Sequence, residues 1–195
     1  RIEYMKGSPF YRVDRVNSSL AWVVQFGYRG EPAVDKCWDH NRTSNTTWSV
    51  HRPGNVRGTV AFSMDAVPPS PLTVNCTSEQ YCAQGFSTNV FINYADNTRL
   101  DAAGFSVFGY VEPGGMAVVD RLYAGYGEVS DLCGGESVQQ SAAGTSFCKG
   151  FGEECKGLSM RRLLEEGQTY WRSQRPLLDS ILSISISTHY GVEGE

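Results

Sequence analysis

Short apolar runs alternate along the chain with polar and glycine-rich segments. Residues 22–26 and 58–64 are rich in aromatic and β-branched side chains, and each run predicts a buried strand. Residues 91–111 predict two further strands joined by a polar turn. Residues 177–187 alternate isoleucine with serine late in the run, which predicts a final edge strand. The pattern therefore predicts a mostly-β fold, an antiparallel sheet for which a barrel is the expected closure.

Helical periodicity is found in two segments. Residues 113–123 place apolar side chains at i, i+3, i+6 and i+7, which predicts an amphipathic helix, and residues 158–166 carry a second helical signal. The polar residues 29–57 predict a long loop. The glycine- and serine-rich residues 128–157 predict an insertion pinned by disulfides. We therefore expect about two helices beside the sheet.

The composition suits a single globular domain. The chain has 195 residues, of which 41% are hydrophobic, enough for one full-sized core. We place this domain at residues 1–187 and a short tail at residues 188–195. The net charge of −4 and the lack of a lysine or arginine run argue against a nucleic-acid partner. No apolar run approaches the ~20 residues of a membrane-spanning helix, so no membrane span is expected.

The cysteines and the glycosylation sequons indicate the compartment. The six cysteines form no C-x-x-C pair, and the three histidines lie at no metal-ligand spacing, so no metal site is expected. Four N-x-S/T sequons beside an even cysteine count favour a secreted or lumenal protein. The predicted glycosylation sites are Asn17, Asn41, Asn45 and Asn75. The cysteines predicted to form disulfides are Cys37, Cys76, Cys82, Cys133, Cys148 and Cys155. Sequence proximity favours a pair between Cys76 and Cys82, and the remaining connectivity stays open.

The sequence carries none of the common catalytic motifs that we sought. It contains no G-x-S-x-G elbow, no G-x-x-x-x-G-K phosphate loop and no H-E-x-x-H zinc motif. Adjacent acidic residues, such as Glu153 and Glu154, are typical of solvated surface charge rather than of an acid–base pair. The sequence therefore gives no indication of hydrolysis or group transfer.

Several sequence blocks, taken in chain order, resemble the cyclophilin-type peptidyl-prolyl isomerases. The strongest are FINYADNTRLD at 91–101, GFSVFG at 104–109 and MAVVDRLY at 116–123. The others are FYRV at 10–13, WVVQFG at 22–27, GTVAFSM at 58–64, GQTY at 167–170 and PLLDSI at 176–181. The resemblance implies a cyclophilin-like antiparallel barrel. It also implies that the first two strands and first helix of that barrel would precede Phe10, so we expect a cleaved segment or a neighbouring subunit to complete it.

The resemblance implies a set of site residues. Arg12 matches the catalytic arginine, with Arg15 as the alternative, and Gln25 matches the glutamine that orders it. The implied substrate-binding residues are Trp22, Val23, Gln25, Asp65, Ala66, Asn89, Phe91, Leu100 and Phe105. Asn89 stands where the family has a longer glutamine. We expect Arg12, Gln25 and Phe91 to converge on one shallow apolar pocket rimmed by residues 93–103.

Two functions are compatible with this resemblance. The first is a prolyl isomerase, or a binder of proline-containing peptides, in the secretory pathway, and it would need no cofactor. The second is a cyclophilin-like structural or interaction module of an extracellular assembly with little or no catalysis. The retained Arg12, Gln25 and Phe91 favour the first, and the departures from the family pattern favour the second.

Overall fold

The main feature of the protein is a five-stranded antiparallel sheet. The computed structural model describes residues 2–14, 23–40, 54–63, 65–67, 82–85, 87–127, 129–130 and 157–186. The strands are β1 (Arg12–Val13), β2 (Val23–Phe26), β3 (Thr59–Phe62), β4 (Asp65–Val67), β5 (Cys82–Gln84), β6 (Val90–Asn93) and β7 (Val107–Tyr110). The main sheet has the order β1-β2-β6-β3-β7, and β4 pairs with β5 in a separate two-stranded sheet. This architecture agrees with the predicted mostly-β class, but among the described residues the main sheet is open, so the predicted closed barrel is not confirmed.

The described residues also contain six short helices. They are a 3-10 helix (Ile2–Met5) and the α-helices α1 (Pro32–His40), α2 (Arg99–Ala102), α3 (Met116–Val119), α4 (Met160–Glu166) and α5 (Gln168–Gln174). The described ranges thus hold five α-helices where about two were expected, and α3 is shorter than its predicted segment. None of the helices in these ranges combines the length and the apolarity that a bilayer crossing requires.

Helix α1 corrects the predicted loop at residues 29–57. Its start is fixed by the buried Asp35, whose carboxylate accepts hydrogen bonds from the backbone N–H groups of Arg29, Gly30 and Glu31. Pro32 occupies the first helical position, where its missing N–H costs nothing. Together these two residues supply a helix start inside a segment whose polarity suggested only a loop.

The two strands predicted within residues 91–111 are present as β6 and β7, but their arrangement is corrected. Strand β3 lies between β6 and β7 and pairs with both, so the two predicted strands are not neighbours. The connection between them holds α2 instead of a simple turn. Residues that look like one hairpin in the sequence therefore supply a central strand and an edge strand of the same sheet.

The predicted final strand at residues 177–187 is wrong over its described part, residues 177–186. Within these residues only Ser180 forms a β-bridge, opposite Pro9, and the backbone ladder ends where Gly7 N–H donates to the Ile181 oxygen. Beyond that point the opposing chain turns into the 3-10 helix Ile2–Met5 and cannot extend the ladder. The alternating apolar and serine residues 182–186 are therefore exposed and form no paired strand.

Three apolar clusters form the core of the part of the chain that the structure describes. One lies on one face of the main sheet and contains Val13, Val24, Ile92, Tyr94 and Val119. A second, on the opposite face, contains Val23, Ala61, Phe91 and Leu100. The third lies around α4 and α5 and contains Tyr11, Tyr28, Leu158, Leu163, Tyr170 and Trp171, among others. The second cluster is the one that carries the candidate site.

Candidate functional site

A row of directly opposed residues crosses the main sheet. Arg12 on β1 is the Cα partner of Gln25 on β2, and Gln25 is the partner of Phe91 on β6. Phe91 is in turn opposite Ala61 on β3, and Ala61 is opposite Val107 on β7 next to a β-bulge. Side chains directly opposite one another project from the same face of a sheet. The register therefore brings the predicted residues Arg12, Gln25 and Phe91 onto one face in adjacent positions.

Arg12 is the charged end of this row. Its Nη1 donates to Gln25 Oε1 at 2.9 Å. Its side chain is only 12% exposed, and the Asp14 carboxylate lies 4.0 Å from its Nη2. A largely buried guanidinium needs such partners, because an uncompensated buried charge is strongly unfavourable. The result is a cation held in a defined position at the edge of an apolar surface.

The Gln25 side chain connects Arg12 to β3. Its Nε2 donates to Ser63 Oγ at 2.6 Å, and Ser63 directly follows β3. Because both ends of the carboxamide are bonded, the orientation of the amide plane is determined by contacts on two different strands. Gln25 therefore holds the guanidinium by its oxygen while its own nitrogen is held by Ser63.

The apolar part of the site lies beside Gln25. Phe91 is 3% exposed and packs with the other members of its cluster, which are Val23, Ala61 and Leu100. Phe105 and Val107 pack against this cluster, and the Phe105 ring meets the Phe91 ring edge to face with centroids 6.1 Å apart. Such a geometry is favourable for aromatic pairs. The predicted residues Val23, Phe91, Leu100 and Phe105 thus belong to one largely buried apolar cluster, which Gln25 separates from Arg12 along the row.

A buried amide network fixes the segment that carries Leu100 and Phe105. The Asp101 carboxylate accepts from the backbone and the side chain of Asn55 at 2.9 and 2.6 Å. The Asn55 side chain also donates to the Phe105 carbonyl oxygen at 2.8 Å. Asn93 donates to Asn55 Oδ1 at 3.1 Å and accepts from Asn97 at 2.7 Å. These positioning residues were not singled out from the sequence, where Asn55 lies far from Asn93, Asn97 and Asp101.

Asn89 links the site to the third cluster. The Tyr11 hydroxyl donates to Asn89 Oδ1. Burial raises the pKa of Tyr11 well above its ordinary value, with a smaller contribution from Tyr28, so the hydroxyl stays neutral and able to donate. The Ser63 N–H donates to the Asn89 carbonyl oxygen at 2.9 Å, which continues the ladder between β3 and β6. Asn89 is therefore held at the site by both its side chain and its backbone.

Several predicted residues are placed elsewhere. Asp65 and Ala66 pair with Gln84 and Ala83 in the second sheet, and Cys82 pairs there with Val67. Cys37 is on an exposed position of α1. The residues outside the described ranges are Trp22, Arg15, the sequon asparagines Asn17, Asn41, Asn45 and Asn75, and the cysteines Cys76, Cys133, Cys148 and Cys155. The glycosylation and disulfide assignments therefore stay predictions.

The site combines a positioned cation, an oriented amide and a largely buried aromatic cluster on one side of the sheet. Within the described ranges, no group of three or more His, Cys, Asp or Glu side chains is placed to hold a metal ion. No protein-family model matches the chain, and a search of curated proteins finds no significant match. The function therefore has to be inferred from what these side chains can do.

Proposed function

We propose that the protein is a cyclophilin-like peptidyl-prolyl cis–trans isomerase, or binder of proline-containing peptides, whose site is the sheet face that carries Arg12, Gln25 and Phe91. One observation carries the proposal. Arg12 donates to Gln25, and Gln25 is opposite Phe91 in the ladder, so a cationic donor and an aromatic ring lie on one face, two strands apart, with Gln25 between them. A cationic donor near an aromatic group is what an enzyme needs to bind a proline ring and stabilise a twisted X–Pro bond.

The chemistry needs selective stabilisation of a twisted amide. Rotation about an X–Pro bond crosses a barrier of about 18–20 kcal/mol, because twisting disrupts amide resonance. In the twisted state the prolyl nitrogen regains its lone pair and becomes a hydrogen-bond acceptor. The guanidinium of Arg12 would donate to that nitrogen, while Phe91 and Leu100 would hold the proline ring. Only the twisted state would gain the hydrogen bond from Arg12, which is the condition for catalysis.

A second candidate function is a binding or structural module with little or no turnover. It is favoured by the low exposure of the two central side chains, 12% for Arg12 and 3% for Phe91. A side chain so covered presents little surface to a ligand unless its neighbours move. In addition, Asn89 is one methylene shorter than the glutamine of the resembled family, so weak turnover is expected even from an active site.

Isomerisation of an X–Pro peptide, measured by NMR exchange spectroscopy, separates the two candidates. If the protein is an isomerase, it accelerates exchange, and Arg12→Ala lowers kcat/KM by about 100-fold or more, the scale for losing one preorganised charged donor. Arg172→Ala, at an exposed position of α5, is the matched control and should keep wild-type turnover. Exchange at the uncatalysed rate with the wild-type protein would contradict the isomerase function and leave the second candidate.

We further propose that the protein is a secreted or lumenal glycoprotein. The support is the coincidence of four sequons with an even number of cysteines in one chain. The test is the intact mass of the protein from its native source, before and after glycosidase treatment. A mass decrease is expected, with Asn41 or Asn45 modified, and an unchanged mass would contradict the proposal.

A further inference from the structure

Ser63 lies at the site although the resemblance gives it no role. It follows the last residue of β3, and its backbone N–H donates to the Asn89 carbonyl oxygen at 2.9 Å. Ser63 is two residues after Ala61, so its side chain projects from the face that carries Gln25 and Phe91. The ladder between β3 and β6 thus places the hydroxyl next to the Gln25 carboxamide, with Oγ 2.6 Å from Nε2.

The chemistry of arginine determines which way the Gln25 carboxamide points. A guanidinium has only hydrogen-bond donors, so the Gln25 atom that lies 2.9 Å from Arg12 Nη1 must be the acceptor Oε1. The nitrogen Nε2 then has to point to the other side, where the Ser63 oxygen accepts its hydrogen bond. The two bonds are mutually consistent, and reversing the amide would place donor against donor at Arg12.

We propose that Ser63 is a positioning residue that orients the Gln25 carboxamide and, through it, the Arg12 guanidinium. The terminal torsion of a glutamine side chain is broad and roughly two-fold, so it has little intrinsic preference. Without the Ser63 hydroxyl, the contact with Arg12 alone, among the hydrogen bonds of the described residues, would restrain the carboxamide. Its oxygen would then leave the guanidinium for part of the time, and Arg12 would lose its fixed direction.

The functional consequence rests on the isomerase proposed above. A misdirected guanidinium weakens an interaction that exists only with the twisted bond, so kcat and kcat/KM fall together while KM stays unchanged. Ser63→Ala should lower kcat by about 3- to 10-fold, the scale of one net hydrogen bond. Ser63→Thr keeps a hydroxyl at the same position and should restore turnover.

The experiment uses two measurements on the same set of variants. The variants are Ser63→Ala and Ser63→Thr, with Ser173→Ala on α5 as the matched control. The first measurement is kcat and KM for an X–Pro peptide by NMR exchange. The second is the NMR signals of the Arg12 Nε–H and the Gln25 side-chain amide in the absence of peptide. Should the alanine variant fail to fold, Ser63→Cys, whose thiol is a weak acceptor, replaces it.

The expected result is a shift of both the Arg12 and the Gln25 signals in Ser63→Ala, with lower kcat, unchanged KM and restoration by Ser63→Thr. Unchanged signals would overturn the inference, whatever the activity. A rise in KM that threonine does not restore would also overturn it, because that result indicates a merely structural role. If the wild type is inactive, the isomerase function fails, and the positioning claim is then decided by the NMR signals alone.

Discussion

The two faces of the five-stranded sheet carry different side chains on the same strands: one face is apolar, and the other includes the candidate site. On one face Val13, Val24 and Ile92 pack among apolar side chains. On the other face Arg12 and Gln25 stand in the same row as an aromatic ring. In β2 the change occurs between consecutive residues, because Val24 is fully buried in the first face and Gln25 belongs to the second. A four-residue strand can therefore support the core and the site at the same time.

The difference shows what a polar side chain needs at such a position. Val24 requires only neighbours that fill space, whereas Arg12 is bonded to Gln25 and lies near Asp14. Gln25 in turn is bonded to Ser63. Polar groups on a largely buried sheet face are favourable only when they are hydrogen-bonded, so they form a connected set. We therefore expect substitutions on the two faces to have different consequences.

The largest effect on stability is expected on the apolar face. Ile92→Ala should lower the free energy of unfolding by about 2–5 kcal/mol, because it removes buried methyl groups and leaves a cavity. Urea denaturation measures this loss. The Arg12 and Gln25 side-chain signals should keep their positions in the folded variant. Large shifts of those signals would show that the two faces are coupled and would contradict their independence.

A smaller effect is expected at Tyr11, which connects the site face to the third cluster. Tyr11→Phe removes the donor to Asn89 and should cost about 1–3 kcal/mol at neutral pH. The raised pKa of Tyr11 means that the folded state holds this proton more tightly than the unfolded state. Its contribution is therefore complete below pH ~10 and declines as the pH rises above that value, by up to about 1.4 kcal/mol per pH unit.

Urea denaturation at several pH values between neutrality and pH ~11 tests this expectation. The stability difference between wild type and Tyr11→Phe should be constant up to about pH 10 and then shrink. A difference that grows in alkali would contradict the assignment of Tyr11 as a buried neutral donor. Tyr110 is exposed on β7, so Tyr110→Phe provides the matched control and should leave the stability close to that of the wild type at neutral pH.

The smallest effect is expected at Phe105. Phe105→Leu removes the edge-to-face contact with Phe91 and should cost about 0.5–1.5 kcal/mol of stability. Binding of a proline peptide should weaken, because the ring belongs to the proposed apolar surface. Phe108→Leu makes the same substitution at an exposed position of β7 and serves as the matched control. Equal binding by the two variants would exclude Phe105 from the ligand surface.

Strands β2, β3, β6 and β7 could be predicted from the sequence because their apolar and aromatic runs are short and bounded by turn residues. Strand β1, which carries Arg12, has only two residues and was not predicted. The order of the strands could not be predicted. The run at residues 91–111 reads as one hairpin, and only the pairing of β3 with both β6 and β7 separates its halves. Helix α1 was missed for a related reason. Its start depends on Asp35 accepting from three backbone N–H groups, and that contact has no simple sequence signature.

The contacts within the site could not be predicted from the sequence either. Arg12, Gln25 and Phe91 were identified by resemblance, but their adjacency depends on strand register, which places Gln25 opposite both of the others. Ser63 could not be singled out, because a serine after a strand is common. The Asn55–Asp101 contact joins residues 46 positions apart, and neither residue belongs to a recognised motif. Residues that position the site, such as Ser63 and Asn55, can be identified only when the register of the strands is known.

The most direct test of the account is a titration of methyl-labelled protein with a short X–Pro peptide, followed by NMR. Val23 and Val24 are neighbours in β2 and belong to opposite faces, so they form an internal pair of probes. If the proline site lies on the face of Gln25 and Phe91, the methyl signals of Val23 and Leu100 shift with peptide concentration, while those of Val24 and Ile92 do not. Shifts confined to Val24 and Ile92, or no shift at any of the four, would contradict a proline site on this face.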